Sequence, residues 1–465
     1  MACSVLAHAQ AVEALNMQLV GHHDLQGRSA YQPIVHVYNG RRILFVGQHA
    51  GSAINTLTGD EERNGVSILD VTNPSEPTLL HHLPPSGDAD TGTQHVQVCS
   101  GGALPDADPD KTYLLRTNGQ LSTEIFDVSD PTQPKFVVTV AETGQTEFGD
   151  RATHKTQWDC ASGVGYLNLT PQGWRVPRIL QAFDLSNPED PQHIRDFGLD
   201  GWQPGSNAAR PEEQVSGLHQ PVVVGERMYL GYGSGGDGVL QILDRQKFLN
   251  GDPDVRDRFA PTTENLRYPQ IARLDLPSFW GVHTAKPVYG MDISDYVESE
   301  RSLRDFLIVV SEAGEFSCQE ARDVMFLLDI TEEDKPFPVS SFQVPEEPGD
   351  FCNRGGRFGP HSPQDAFLGD FDKRIVLLAY FNAGIRAVDI RNPFHPREVA
   401  HYIPQVSDKT IPSCIAIDGN EQCDVAIQTN NLNIDERGYI YALDRAGTGV
   451  HILQLTGEAK AIAGL

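Results

Sequence analysis

The sequence has no CxxC pair, no cluster of lysines or arginines, and no apolar run long enough to span a bilayer. The first absence removes a zinc ribbon. The second, in a chain of formal net charge −27, removes nucleic acid and anionic membrane surfaces as partners. The third removes membrane insertion by a helix. A GxSxG elbow, a P-loop and a dinucleotide fingerprint are also missing. "GSGGDG" (Gly233–Gly238) is rich in glycine, but no helical pattern follows it, so it is not a phosphate cradle.

What the sequence does have is turns. It holds 465 residues, 39% of them hydrophobic, enough for a large core. Its 43 glycines and 31 prolines are spread along the chain and favour many short strands over long helices. The opening "SVLAHAQA" resembles the tail of an export signal, with small residues at Ala7 and Ala9. Residues 1–15 therefore read as a leader remnant or a disordered N-terminus, and 16–465 as one domain. Cys3 belongs to that leader. The other six cysteines (Cys99, Cys160, Cys318, Cys352, Cys414 and Cys423) fit an exported, disulfide-bonded protein, periplasmic or secreted; buried free thiols would use the same composition. Cys414 and Cys423 flank "IDGNEQ", a natural hairpin staple.

One motif recurs: "GVSILDVTNPSEP" (Gly65–Pro77), "STEIFDVSDPTQP" (Ser122–Pro134), "ILQAFDLSNPEDP" (Ile179–Pro191), "VLQILDRQKFLNGDP" (Val239–Pro253), "VMFLLDITEEDKP" (Val324–Pro336) and "GIRAVDIRNPFHP" (Gly384–Pro396), with a degenerate "GVHILQLTG" (Gly449–Gly457) last. Each copy is a short strand closed by Asp, then a turn in which a small polar side chain caps and proline ends the ladder. A further strand precedes and another follows most copies, making about four strands per unit. Four-stranded sheets repeated radially make a β-propeller, and seven copies imply seven blades. "NMQLVGHHDL" (Asn16–Leu25) matches the outer strand "PTLLHHLP", so it is expected to complete the last blade and seal the ring. The fold class is thus an all-β, seven-bladed propeller closed by an N-terminal strand; two ordinary β domains are the alternative.

Most of the 16 histidines need no function. His22, His23, His81, His82, His193 and His401 fall in outer-strand contexts and His395 in a turn. Five others share a phase: His95, His154, His219, His283 and His361 each open an innermost strand, where equivalent positions point to one axis. The two remaining blades offer Tyr31 or Gln32 and Asn430 or Asn431. Neutral imidazole is the commonest ligand for zinc, copper and iron, and several aimed at one point repel once protonated. The five are therefore candidate ligands for a divalent transition metal (Fe, Cu, Mn or Zn). The pattern is far less specific than HExxH, because the ligands come from separate blades. Glu147, Glu213 and Glu312 are candidate carboxylates to orient them. Glu312 can also serve as a general base, and Lys155 and Arg357 can bind or polarise substrate. The competing reading is structural, with the histidines hydrogen-bonding neighbouring blades.

The turn motif and its copies resemble the LVIVD-repeat family of β-propeller proteins over nearly the whole chain. At finer grain, "THKTQWDC" (Thr153–Cys160), "FCNRGGRFGPHS" (Phe351–Ser362) and "FNAGIRAVDIRNPFHPREV" (Phe381–Val399) resemble a group of exported bacterial members. The resemblance implies the fold and export, and leaves activity open. Carotenoid-cleavage-type oxygenases and selenium-binding-type methanethiol oxidases are more distant propellers that offer analogy only, since motifs of neither stand in this sequence.

The function expected is a metal-dependent enzyme, an oxidoreductase or oxygenase, acting on a small organic substrate at the channel. A hydrolase or lyase would use the same parts. The alternative is a non-catalytic exported scaffold or binding propeller.

Overall fold

The computed structural model describes residues 13–145, 152–208, 217–234, 236–298, 300–417 and 420–465. Seven antiparallel sheets of four core strands form a seven-bladed β-propeller. Blade 1 runs Ala30–Tyr38, Arg41–His49, Val66–Asp70 and Thr78–Leu83 from axis to rim. The innermost strands of blades 2 to 7 are Val96–Ser100, Gln157–Asp159, Leu218–Val224, Thr284–Asp292, Ser362–Pro363 and Thr429–Ile434.

The repeated motif is the third strand of every blade, and its punctuation works by local hydrogen bonding. Asp70, Asp127, Asp184 and Asp329 each accept, through one carboxylate oxygen, the backbone N–H two residues on, at 2.9 Å. In the next turn position Asn73, Asp130, Asn187 and Asn392 do the same. These bonds replace the ladder with a turn. In blade 4 the motif diverges: Asp244 instead caps the helix Arg245–Asn250 by accepting from Lys247 N at 2.9 Å.

The second strands are continuous apolar runs because both faces are buried. Ile43 and Phe45 pack toward blade 2, while Leu44 and Val46, between them in sequence, pack toward blade 7. Ile375 and Leu377 face blade 7, and Val376 and Leu378 face blade 5. The seven hydrophobic clusters are the seven interfaces between neighbouring blades. Burying each such side chain contributes about 1.5–3 kcal/mol.

Closure follows the expected route. Met17–His23 pairs antiparallel with Gly449–Leu455 and becomes the rim strand of blade 7. The chain after that third strand turns into the helix Gly457–Ala463, whose Ala459, Ile462 and Ala463 pack into the core between blades 6 and 7. One boundary moves. Glu13–Leu15, assigned above to the leader, pairs with His401–Ile403 as a fifth strand of blade 6. It covers an edge that would otherwise expose unpaired backbone. Met1–Ala11, with Cys3, lies outside the described residues.

All six remaining cysteines are paired: Cys99–Cys160, Cys318–Cys352 and Cys414–Cys423. The last staples opposite residues of the hairpin, as expected. Three disulfides fit an oxidising, extracellular setting. Among the described residues no helix is long and apolar enough to cross a membrane. Cys99–Cys160 ties the innermost strand of blade 2 to that of blade 3 across 61 residues of sequence. Replacing both cysteines by serine should lower stability by about 4 kcal/mol on the chain-entropy model. Denaturant unfolding with and without the pair measures this, and an unchanged midpoint refutes it.

Candidate metal centre

The innermost strands of blades 3 to 6 begin at the same end of the channel, and a histidine stands at the start of each. In blade 6 the entry is forced by "GPH". Gly359 has φ 155°, and a Cβ there would meet Ala313 Cβ at 2.5 Å. Proline follows, and His361 enters with its N–H bonded to Ala379 O at 2.9 Å.

The rings then run round the channel in sequence. Centroids are 4.5 Å apart for His154–His219, 3.6 Å for His219–His283 and 4.3 Å for His283–His361. In all four the Nδ1 atom is engaged from outside the channel. His219 Nδ1–H donates to His283 O at 2.9 Å, and His361 Nδ1–H to Asn430 O at 2.5 Å. A backbone carbonyl can only accept, so these two tautomers are set by the chain itself. His154 Nδ1 meets Gln94 Oε1 at 2.9 Å. His283 Nδ1 meets Thr284 Oγ1 at 2.8 Å, and that hydroxyl donates onward to Gln220 Oε1 at 2.8 Å, which leaves it accepting from the ring.

With every Nδ1 carrying the proton, every Nε2 presents a lone pair to the channel. His154 Nε2 and His219 Nε2 stand 2.8 Å apart. His283 Nε2 is buried with no hydrogen-bond partner among the described residues. Glu312 projects toward the same point: its carboxylate lies 3.9 Å from His283 Nε2, 3.6 Å from His361 Nε2 and 3.1 Å from Arg357 Nη1. One donor atom each of His219, His283 and Glu312 lies within 4.8 Å of the others. Two nitrogens bound to one tetrahedral zinc at about 2.1 Å sit about 3.4 Å apart. The 2.8 Å pair would open by about 0.6 Å to meet that spacing, and donors up to 4.8 Å apart would close by about 1.4 Å.

His95 departs from this pattern. Gln94, one residue earlier, faces His154, and His95 turns to blade 3, where its Nδ1 accepts from Thr156 N at 3.3 Å. Its proton is then on Nε2, so it offers the centre no lone pair. The structure thus groups four of the five sequence candidates. Lys155 is fully buried one layer deeper, donating to Ser362 Oγ at 3.4 Å, with Asp365 the nearest charge that favours its protonated form. Arg357 lies at the mouth, on Glu312. Glu147 and Glu213 lie outside the described residues.

Tyr31, one of the residues the sequence offered for blade 1, meets His154 Nε2 through its hydroxyl at 3.2 Å and so stands beside the centre. Three residues escaped the sequence reading. His49 packs edge-on against the Tyr31 ring at 4.8 Å, and its buried Nε2 has no hydrogen-bond partner among the described residues. It ends a second strand and so breaks the phase that picked out the others. Arg178 and Arg445 come from third-strand and loop positions that carry no motif. A second group of donors, Cys318, Glu346 and Cys352, is no metal site, because the two sulfurs are joined to each other. Beyond the Lys155 layer, the far end of the channel is a cavity of about 180 Å³ lined by amides, among them Gln97, Gln157 and Gln220.

The fold and its axial histidine–glutamate cluster thus define a seven-bladed propeller with a donor set of the kind that holds a metal. Residues 61–82 match the LVIVD repeat model. No curated protein matches it significantly. Among solved structures it is similar to the β-propeller domain of Cps50 (Swd1) from Myceliophteria thermophila, at 10% identity and TM-score 0.47, covering 96% of this chain and 100% of that one. It is also similar to a putative 6-phosphogluconolactonase (BF1038) from Bacteroides fragilis, at 9% identity and TM-score 0.42, covering 90% and 95%.

Burial holds the imidazoles of His49, His154, His219, His283 and His361 well below their ordinary range, and nearby cations push the same way. Burial also takes His95 down to about 3. In the unfolded chain these six bind protons below about pH 6.5. Unfolding then takes up protons, so the stability present above about pH 6.5 is lost as pH falls below it. Asp323, raised to about 8 by burial, acts oppositely, as do Glu320 and Asp444, but His23, His36, His81, His82 and His451 are lowered too and add to the six. In chelator, the denaturant midpoint should be clearly lower at pH 5.5 than at 7.5; a flat profile contradicts the neutral, proton-locked ring.

Proposed function

We propose that the channel mouth is a metal-dependent reaction centre of the oxidoreductase or oxygenase class, acting on a small organic molecule in an oxidising compartment, periplasmic or secreted. The observation that carries this is the orientation of the protons. His219 and His361 give their Nδ1 protons to backbone carbonyls, and His154 and His219 face each other with unprotonated Nε2 atoms 2.8 Å apart, the first also in reach of the Tyr31 hydroxyl at 3.2 Å. Two lone pairs at that distance repel, and a cation between them removes the repulsion. A shared proton is the simpler cation, but burial disfavours protonation of both rings and Arg178 and Lys155 add to it. A metal ligated by nitrogen, with Glu312 contributing negative charge, fits the same geometry.

The metal would supply a Lewis acid or a site for dioxygen. The chain's own groups do the rest. Carbonyls and hydroxyls fix each ring in the tautomer that ligates. Arg357 holds Glu312 at the edge of the centre, where its carboxylate can take a proton from a bound molecule. Tyr31 presents a hydroxyl beside His154. The same position of Glu312 suits a metal-dependent hydrolase or lyase, which is the second reading.

The test is metal content of the purified protein by mass spectrometry. About one equivalent of Fe, Cu, Mn or Zn is expected, lost in His219→Ala and His361→Ala. Trace metal unchanged by both substitutions overturns the reading in favour of a scaffold whose histidines join blades. A finer check is Thr284→Val, which removes the acceptor of the His283 Nδ1 proton. It should weaken metal binding about 10–100-fold by titration; wild-type affinity would mean that the tautomer is not set there.

A further inference from the structure

Buried structural arginines in this protein spend most of their donors, though Arg195 Nε, Arg354 Nη1 and Arg386 Nη2 have no partner among the described residues. Arg28 donates to Gln26 Oε1, Glu62 O, Asn64 Oδ1 and Ala53 O. Arg116 serves Glu124, Ser86 Oγ and the carbonyls of Leu83 and Pro84. Two arginines at the channel mouth differ. Arg178 and Arg445 are partly buried, yet neither side chain has a hydrogen bond or ion pair among the described residues. Burial makes their charge more costly, with Arg357 adding to the effect on Arg445. Guanidinium groups that are partly buried and have no acceptor among the described residues are donors open to a ligand.

They surround the centre. Arg178 and Arg445 act electrostatically on Tyr31 from blades 3 and 7, and both act on Glu312. Arg357 joins them from the entry to blade 6, and it already holds Glu312. Three cations therefore stand around the Glu312 carboxylate, with Asp444 also acting on Arg445 and Glu320 on Arg357. Arg357 and Arg445 together line a cavity of about 120 Å³ with Phe316, Ser413 and Gln428. Arg357 lies 6.0 Å from the Phe316 ring centroid, so the cavity has an apolar wall beside its charge. A cavity of about 150 Å³ accepts a benzene ring. This one is smaller, so it takes a carboxylate group and only part of a small apolar body, the rest staying at the mouth.

We propose that Arg357 and Arg445 form an anion-binding mouth, with Arg178 adding to its positive field from blade 3, and that the molecule brought to the centre is a small organic carboxylate whose apolar part lies against Phe316. Binding itself needs only the arginines; what is then done to the bound molecule rests on the metal-centre reading above. A metal ion would add positive charge to a site that already has an excess of it, so an anionic ligand improves the charge balance in either case.

The test is calorimetric titration with benzoate, benzamide and inorganic phosphate, on chelator-treated and on metal-loaded protein. Benzoate should bind and neutral benzamide should not. Arg445→Gln and Arg178→Gln should each weaken benzoate about tenfold or more, with metal content as in the wild type. Arg445→Lys keeps the charge and loses the planar fork; it should weaken benzoate less than Arg445→Gln, and it serves in place of the glutamine variant if that one fails to fold. No benzoate binding in either form of the protein, or binding unaffected by all three variants, overturns the proposal. Phosphate binding more tightly than benzoate through the same arginines overturns the carboxylate assignment. Failure of the metal reading shows elsewhere, as metal content that does not depend on His219 and His361.

Discussion

Each blade is buried on both faces. That constraint organises the rest of the molecule. A sheet with one apolar face can sit on a core and show the other face to water. Here Leu44 and Phe45, adjacent in sequence, pack against different neighbouring blades, and the same holds for Val376 and Leu377. A blade so built needs a partner on each side. A row of such blades leaves two apolar faces uncovered until the row closes on itself. Closure at seven, sealed by Met17–His23, satisfies every blade at once.

Closure has a consequence at the axis. The innermost strands converge there, and their first side chains cannot avoid one another. Apolar side chains would fill that space. Instead four blades supply imidazoles, a fifth supplies Tyr31, and a sixth lends the Asn430 carbonyl to His361. Each ring's outer nitrogen is occupied by the blade wall, so the inner nitrogens face the channel with lone pairs. Packing between blades thereby becomes control of protonation. The His219–His283 and His361–Asn430 bonds also cross from blade to blade, so the structural role expected of such histidines is present as well. One ring nitrogen joins blades while the other is left for chemistry.

Most of the architecture was legible in the sequence because its signals are local. An Asp at a strand end, followed by a small polar residue and proline, specifies a turn through bonds spanning two residues. Copies of that motif, exact or degenerate, count the blades. The phase of His154, His219, His283 and His361 was legible for the same reason, since each lies within a few residues of the start of an innermost strand. His95 shares that phase, but a one-residue difference in how blade 2 enters its strand put Gln94 in its place. That shift depends on contacts with blade 3. His49, Arg178 and Arg445 were invisible because no local pattern places them; they meet the site only once blades 1, 3 and 7 are assembled.

The sequence by itself determined the repeat, the number of blades, the strand that closes them and the residue types at the axis. Those follow from periodicity, turn chemistry and burial, which act over a few residues. Tertiary structure alone decided which nitrogen of each histidine faces the channel, which histidine turns away, and which arginines have no partner among the described residues. Those depend on acceptors and neighbours brought together from blades far apart in sequence.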